Sequence, residues 1–325
     1  MSSIRARGLF LVAGLLWASA AWSGRLPGPL VETDWLAAHL DDVVVLSVRA
    51  DVASFTAKPV IRKDKKGRRQ LLRVAGHIPG ARLLDYRKAR TKRKVDGKII
   101  DKIIPPRPVF EGFMQSLGVD TDSAVVLVSK GLGSGDMTMA TRIYWQLKYY
   151  GHDDVAILNG GLSRWLLEGR EFSTTPSRPG RGDWTARAER RELLATTEDV
   201  EKALQTGDRV LIDNRPLSQY MGVYKKSYVY AKGHIPGAKP YPNELMTGPG
   251  PGARFLPGDE LRALMEGIGI DPERPAIAYC NSGHLASGGW FILHELLGNE
   301  RASLYDGSMH EWTLEKRPVK AFRLE

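Results

Sequence analysis

A chain that repeats itself can fold in few ways. The heptamer AGHIPGA begins at residue 75 and returns as KGHIPGA at residue 232, 157 positions later. Three further blocks recur in the same order. VVVLSVRA at 43–50 is partnered by RVLIDNRP at 209–216, AVVLVSK at 124–130 by AIAYCNS at 276–282, and ILNGGLSRW at 157–165 by SLYDGSMHEW at 303–312. One heptamer can recur by chance, but four ordered blocks point to duplication of a whole domain. Between the copies, STTPSRPGRGDWTARAE at 173–189 is rich in Pro, Gly, Arg and Thr and has no sustained apolar period, as expected of a linker. The chain therefore divides into a domain at 28–172, a linker at 173–191 and a domain at 192–325. Each is of ordinary single-core size.

Each copy alternates short apolar runs with helical patterns. VVVL, AVVLV and VAIL read as buried strands in the first copy, and VLI, AIAY and ASLY in the second. They are partly β-branched and do not alternate with polar residues, as expected for a parallel sheet covered on both faces. TDWLAAHL opens with a capping residue, Thr33 or Asp34. MATRIYWQLKYYG and ASGGWFILHELLG each close on a glycine, a natural helix stop. The expected fold class is α/β: two tandem domains, each a mainly parallel sheet with helices on both faces. In such sheets ligands sit beyond the carboxyl ends of the strands.

The N-terminus reads as a secretory signal over residues 1–23. Arg5 and Arg7 form a basic n-region, Gly8 to Ala18 an apolar stretch too short for a comfortable membrane span, and Ala18-Ser19-Ala20-Ala21 a small-residue cleavage site. No second spanning run follows. The expected mature protein is soluble and periplasmic or secreted. Export makes the cysteine count informative. Exported chains that use cysteine structurally use it in pairs. This chain has one, Cys280, so the thiol is either reactive or an inert buried hydrophobe.

Its position favours reactivity. Cys280 follows the AIAY strand and precedes a helix expected to begin near Ala286 or Ser287. Unpaired amides of the loop and first helical turn, and the positive end of the helix dipole, favour a thiolate there. Gly283 gives the backbone freedom to curl round the sulfur. A phosphate-handling loop would place an arginine six residues on; that position is Ala286. A single sulfur atom on the cysteine needs only a ring of N–H donors.

Taken together, the paired GHIPGA segments, DNR at 213–215, the loop CNSGHLA at 280–286 and DGSMHEW at 306–312 resemble a tandem-domain rhodanese, a thiosulfate:cyanide sulfurtransferase, here of an exported type. The similarity spans both halves. It implies two rhodanese-like domains, the first catalytically silent and the second carrying the nucleophile. Ser129 stands in the first copy where Cys280 stands in the second, and a serine cannot form a persulfide. The resemblance also implies ping-pong transfer of sulfane sulfur. Cys280 takes the outer sulfur of thiosulfate, the amides of Asn281, Ser282, Gly283, His284, Leu285 and Ala286 hold the persulfide, and cyanide or a thiol removes it. The partners are then small anionic sulfur donors and thiophilic acceptors, with a protein acceptor as an option. No metal or organic cofactor is required. Two alternatives stand beside this reading: a sulfur-binding or delivery module without turnover, and a 3-mercaptopyruvate sulfurtransferase. The loop does not match the CGSGVT pattern of the latter.

Supporting residues are ambiguous. The family places Asp213 and Arg215 beside the loop, either to orient it and draw substrate or as an ion pair bracing strand ends. Where the family commonly has a substrate-contacting arginine, this chain has Gln219, and Lys225, Lys226 or Lys232 are the candidate replacements. His284 either hydrogen-bonds the bound sulfur or faces solvent. His77 and His234 recur in both copies, one of them silent, which favours a structural role. Residues 58–102 hold 17 Lys and Arg against 4 Asp. They are expected to form exposed basic loops. An exported location and the lack of interleaved aromatics argue against nucleic acid.

Overall fold

In the computed structural model, which describes residues 25–95 and 97–322, the short apolar runs become strands because helices cover them on each side. The first copy runs β1 (Leu30–Val31), α1 (Thr33–Ala38), β2 (Val44–Arg49), β3 (Val60–Lys63), β4 (Arg69–Arg73), β5 (Arg82–Asp85), β6 (Thr91–Val95), β7 (Lys98–Ile103), α2 (Arg107–Ser116), β8 (Val125–Val128), α3 (Ser134–Tyr149), β9 (Val155–Leu158) and α4 (Gly161–Leu167). The second runs β10 (Leu194–Ala195), α5 (Thr197–Thr206), β11 (Val210–Asp213), α6 (Leu217–Tyr220), β12 (Lys239–Pro240), α7 (Gly258–Gly267), β13 (Ala276–Tyr279), α8 (His284–Phe291), β14 (Ala302–Tyr305) and α9 (Ser308–Leu314). The proposed signal segment lies outside the described residues. No helix among them is long and apolar enough to cross a membrane.

The two main sheets are parallel throughout and share one strand permutation, β1-β9-β8-β2-β5 and β10-β14-β13-β11-β12. The register repeats as well: Ser47 lies opposite Val128, and Asp213 opposite Tyr279. Ser129 and Cys280 are thus the first residues beyond equivalent strand ends. The edge strands β1, β10 and β12 are two residues long and leave no periodic signal in the sequence.

The repeated GHIPGA segments serve the fold in both copies. His77 stacks on Phe55 and His234 on Tyr220, with ring centroids 3.9 and 3.7 Å apart. Each backbone bridges to the end of its own domain, His77 to Ser173 and His234 to Lys320. Burial lowers the pKa of both imidazoles. No group of three His, Cys, Asp or Glu among the described residues is placed to hold a metal ion.

The domains share a core. α3 is buried almost all round and packs on α8, and one apolar cluster runs from Leu127, Ile143 and Tyr144 into Ile212, Ala278 and Trp290. Gly288 lets the helices touch, since a Cβ there would stand 2.5 Å from the Thr138 methyl. Beside it the Thr141 and Ser287 hydroxyls pair at 2.7 Å. The segment between the copies is not a slack tether. Trp184 is buried, and the amides of Gly182, Trp184, Arg187 and Arg190 bond carbonyls of the first domain.

The basic stretch corrects the expectation of exposed loops. It contains two antiparallel hairpins, β3–β4 and β6–β7. The second docks on the other domain. Ile100 and Ile103 bury against Leu314, Lys98 donates to the Leu314 carbonyl, and Arg93 pairs with Glu311. Charged side chains can carry an apolar face beneath them, which a count of lysines hides.

Candidate active site

Cys280 is the first residue after β13 and is 1% exposed. Its thiol is no surface nucleophile; it lies where the two domains meet. The following helix begins at His284, two residues before the expected start, because Gly283 adopts φ 68° and acts as the N-cap. Leu285 and Ala286 therefore join His284 in the first helical turn, where amides have no intrahelical acceptor. Only glycine fits at 283. A Cβ would strike the Arg142 guanidinium and the Asp306 carboxylate, and the φ is left-handed.

The loop is held by α9 and the turn before it. The amides of Met309 and His310 bond the carbonyls of Cys280 and Asn281, both at 3.0 Å. Ser308 is the central fastener. Its Oγ accepts the amides of Cys280 (3.0 Å) and Gly283 (3.2 Å) and donates to the Tyr305 carbonyl (2.7 Å). It does so from φ 51°, rare for a residue with a Cβ. This narrows the expected amide ring: Gly283 N–H serves Ser308, leaving Asn281, Ser282 and the first-turn residues as donors. Ser308 lies inside the DGSMHEW block, so the repeat flagged its neighbourhood; nothing in the sequence showed its contacts.

Asp213 and Arg215 sit one strand over, fully buried. Arg215 Nε lies 2.9 Å from one Asp213 oxygen, Nη2 lies 2.6 Å from the other, and Nη2 also reaches the Gly233 carbonyl at 2.8 Å. The first copy repeats the last contact, with Arg49 Nη2 on the Gly76 carbonyl at 2.8 Å. There the acid is replaced by Ser47, which accepts from Arg49 Nε. Burial lowers the Arg49 pKa to about 10, whereas Asp213 outweighs burial and raises that of Arg215. The shared geometry is a brace between the strand end and the GHIPGA turn. Gln219 does touch the loop: its Oε1 accepts from Asn281 Nδ2 at 2.9 Å, and its amide nitrogen donates to Tyr224 at 3.0 Å. Lys225 and Lys232 are tied to the Val229 and Val223 carbonyls, 2.6 and 3.1 Å away.

The first domain reaches into this site. Arg142, on α3, is 0% exposed and pairs with Asp306 at 2.6 Å. The other Asp306 oxygen accepts the Ile104 amide. Tyr86 faces His284 with ring centroids 5.3 Å apart. Burial first, then Arg90 and Arg142, drive the His284 pKa down to about 3, so the imidazole is neutral at physiological pH. Burial raises the pKa of Tyr228. None of these first-domain residues carried a motif that sequence reading could find; only the packing of α3 on α8 brings them here.

The corresponding loop in the first copy is filled from within. The Asp136 carboxylate accepts the amides of Gly131 (2.5 Å) and Leu132 (3.4 Å). Ser129 Oγ turns to Met137 Sδ and the Gly131 amide. An internal carboxylate thus occupies amides of that loop, while the second copy has Ala286 six residues after Cys280 and no acid between them.

The model of the rhodanese-like domain matches residues 32–168 and 196–315. Among curated proteins, the chain is 34% identical over 299 residues to the sulfur carrier protein TtuD of Thermus thermophilus, covering 88% of this chain and 94% of that one. It is 31% identical over 292 residues to the thiosulfate sulfurtransferase of Bos taurus, covering 87% and 91%. Among solved structures, SseA of Escherichia coli, described with the rhodanese fold and mechanism of 3-mercaptopyruvate sulfotransferases, is 26% identical with a TM-score of 0.69 over 86% of this chain and 98% of that one. Tum1 of Saccharomyces cerevisiae shares the fold at 19% identity and a TM-score of 0.73, over 91% and 99%. With both copies matched by one domain model and sheets that repeat strand for strand, this chain belongs to the rhodanese-like family and carries its domain twice.

Proposed function

We propose that the chain is a sulfurtransferase that moves sulfane sulfur from thiosulfate to cyanide or a thiol through a persulfide on Cys280. The Cys280 thiolate attacks the outer sulfur of thiosulfate. A new S–S bond forms, the old one breaks, and sulfite departs with the bonding pair. Cyanide carbon then attacks the terminal sulfur, thiocyanate leaves, and the thiolate returns. The amides of Asn281, Ser282, His284, Leu285 and Ala286 hold the anionic sulfur, which is charged before and after each step, so fixed dipoles suit it. Neither step calls for a metal or an organic cofactor. The supporting observation is the contrast between the copies: the loop with the thiol lacks an internal acid, and the loop with Ser129 is filled by Asp136. Relatives named thiosulfate sulfurtransferase at about 30% identity support the same donor.

The test is sulfite release and thiocyanate formation by the mature protein and by Cys280→Ser. The variant is expected to lose both, along with the one-sulfur gain in intact mass. Full turnover by the variant would overturn the assignment. A carrier without turnover is the second reading, favoured by the likeness to a protein named a sulfur carrier. Stoichiometric loading without repeated cyanide-driven discharge would select it. We further propose that residues 1–23 direct export to the periplasm or beyond, as N-terminal sequencing of the mature protein would reveal.

A further inference from the structure

The second domain offers little to grip a donor's negative charge. Gln219 stands where the resemblance expects an arginine and is engaged with Asn281 and Tyr224. Lys225 and Lys232 are occupied by backbone carbonyls. Arg215 also feels Cys280, but its charge is balanced by Asp213, so cations of the first domain become the candidates.

Arg90 lies over the Tyr86 ring with its guanidinium carbon 4.1 Å from the centroid. Tyr86, 2% exposed, in turn faces His284 at the start of α8. Several buried polar atoms here have no hydrogen-bond partner among the described residues: Tyr86 Oη, Arg90 Nε, Arg142 Nε and Nη2, and His284 Nε2. They come from both domains. The Tyr86 hydroxyl, its pKa pushed up to about 12 by burial first, also feels Arg90, Arg142, Cys280 and Asp306. Of these, the Arg142 charge is balanced by Asp306. No ion pair is formed by Arg90 among the described residues, whereas its neighbour Arg87 pairs with Asp85. Beyond Arg90, Lys102 stands at φ 68° with its ammonium 3.4 Å above the Tyr228 ring. Arg87, Arg90, Lys92 and Lys102, with Asp101 as the one acid, line an open cavity of about 210 Å³. A cavity lined mostly by cations concentrates anions.

We propose that the silent domain supplies the anion-binding half of the site: Arg90 and the Tyr86 hydroxyl receive the oxyanion end of the sulfur donor, with Lys102 and its basic neighbours drawing the donor in. This rests on the reading above that the donor is anionic. It gives the first copy a task that needs no thiol, and it supplies the charge that Gln219 lacks. A planar guanidinium suits two oxygens of a sulfonate better than an ammonium does.

The test uses the full chain. Arg90→Gln is expected to raise KM for thiosulfate about 10- to 100-fold, as loss of one charge-assisted hydrogen bond does, with little change in kcat. Arg90→Lys should recover part of the loss, and Lys225→Gln should match the parent. Sulfate, an unreactive tetrahedral dianion, gives a readout independent of turnover. It should raise the thermal midpoint of the parent more than that of Arg90→Gln at matched ionic strength. An unchanged KM in Arg90→Gln, or equal sulfate shifts in both proteins, overturns the proposal. Failure of the parent to turn over thiosulfate sinks the proposed reaction instead, and the sulfate comparison still decides the anion site.

Discussion

Ser308 lets the loop argument be tested quantitatively. Its hydroxyl is fully buried and makes three hydrogen bonds, two accepted from the amides of Cys280 and Gly283 and one donated to the Tyr305 carbonyl. Ser308→Ala removes all three and leaves two buried amides without an acceptor. Each such group costs about 1–3 kcal/mol, so the variant should lose about 2–6 kcal/mol of unfolding free energy. Ser308→Gly makes the same deletion, but φ 51° costs glycine nothing where alanine carries about 1–2 kcal/mol of strain. Glycine gives back about 0.5–1 kcal/mol through the freedom of its unfolded chain. The glycine variant should therefore be the more stable of the two by about 0.5–1 kcal/mol. Urea unfolding followed by tryptophan fluorescence measures both. Single-turnover loading with thiosulfate, read by intact mass, should slow in both variants, because the amides beside Cys280 are no longer fixed. An alanine variant that loses less than about 1 kcal/mol, or a glycine variant less stable than the alanine one, would refute the account of Ser308 as a strained fastener.

Two further outcomes are expected. The pKa of His284 is lowered to about 3, below its unfolded value near 6.5, so between those limits the unfolded chain binds more protons. Stability should fall as pH drops from about 6.5 toward 3, and His284→Gln should flatten that slope in a series of urea melts while leaving activity without a new inflection between pH 6 and 8. In the first copy, Ser129→Cys alone should gain no sulfur from thiosulfate in a Cys280→Ser background, because Asp136 already takes the loop amides. Intact mass checks it, and efficient loading would show that the internal acid does not silence the copy.

Much of the fold was legible because duplication prints the same pattern twice. The strands β2, β8, β9, β11, β13 and β14 coincide with apolar runs, and the repeated blocks align Ser129 with Cys280. Edge strands of two residues carry no period. The start of α8 was misplaced because the left-handed turn at Gly283 begins the helix at His284. The basic hairpins were hidden for another reason: β6 and β7 bury Ile100 and Ile103 beneath lysines and arginines, so composition reports only the outer face.

The sequence by itself determined the doubled α/β plan, the lone thiol beyond a strand end and the serine at the matching position of the first copy. These depend on local propensity, on periodicity and on which residue occupies one position, all of them properties of a string. Tertiary structure alone decided what surrounds the thiol. Ser308 lies 28 residues after Cys280, Arg142 lies 138 before it, and Tyr86 and Arg90 stand in the other domain. Their approach follows from α3 packing on α8 through Gly288 and from a hairpin whose buried face no count of charges reveals. Contacts between distant segments are set by how surfaces fit once the chain has collapsed, and neighbours along the chain carry no record of that fit.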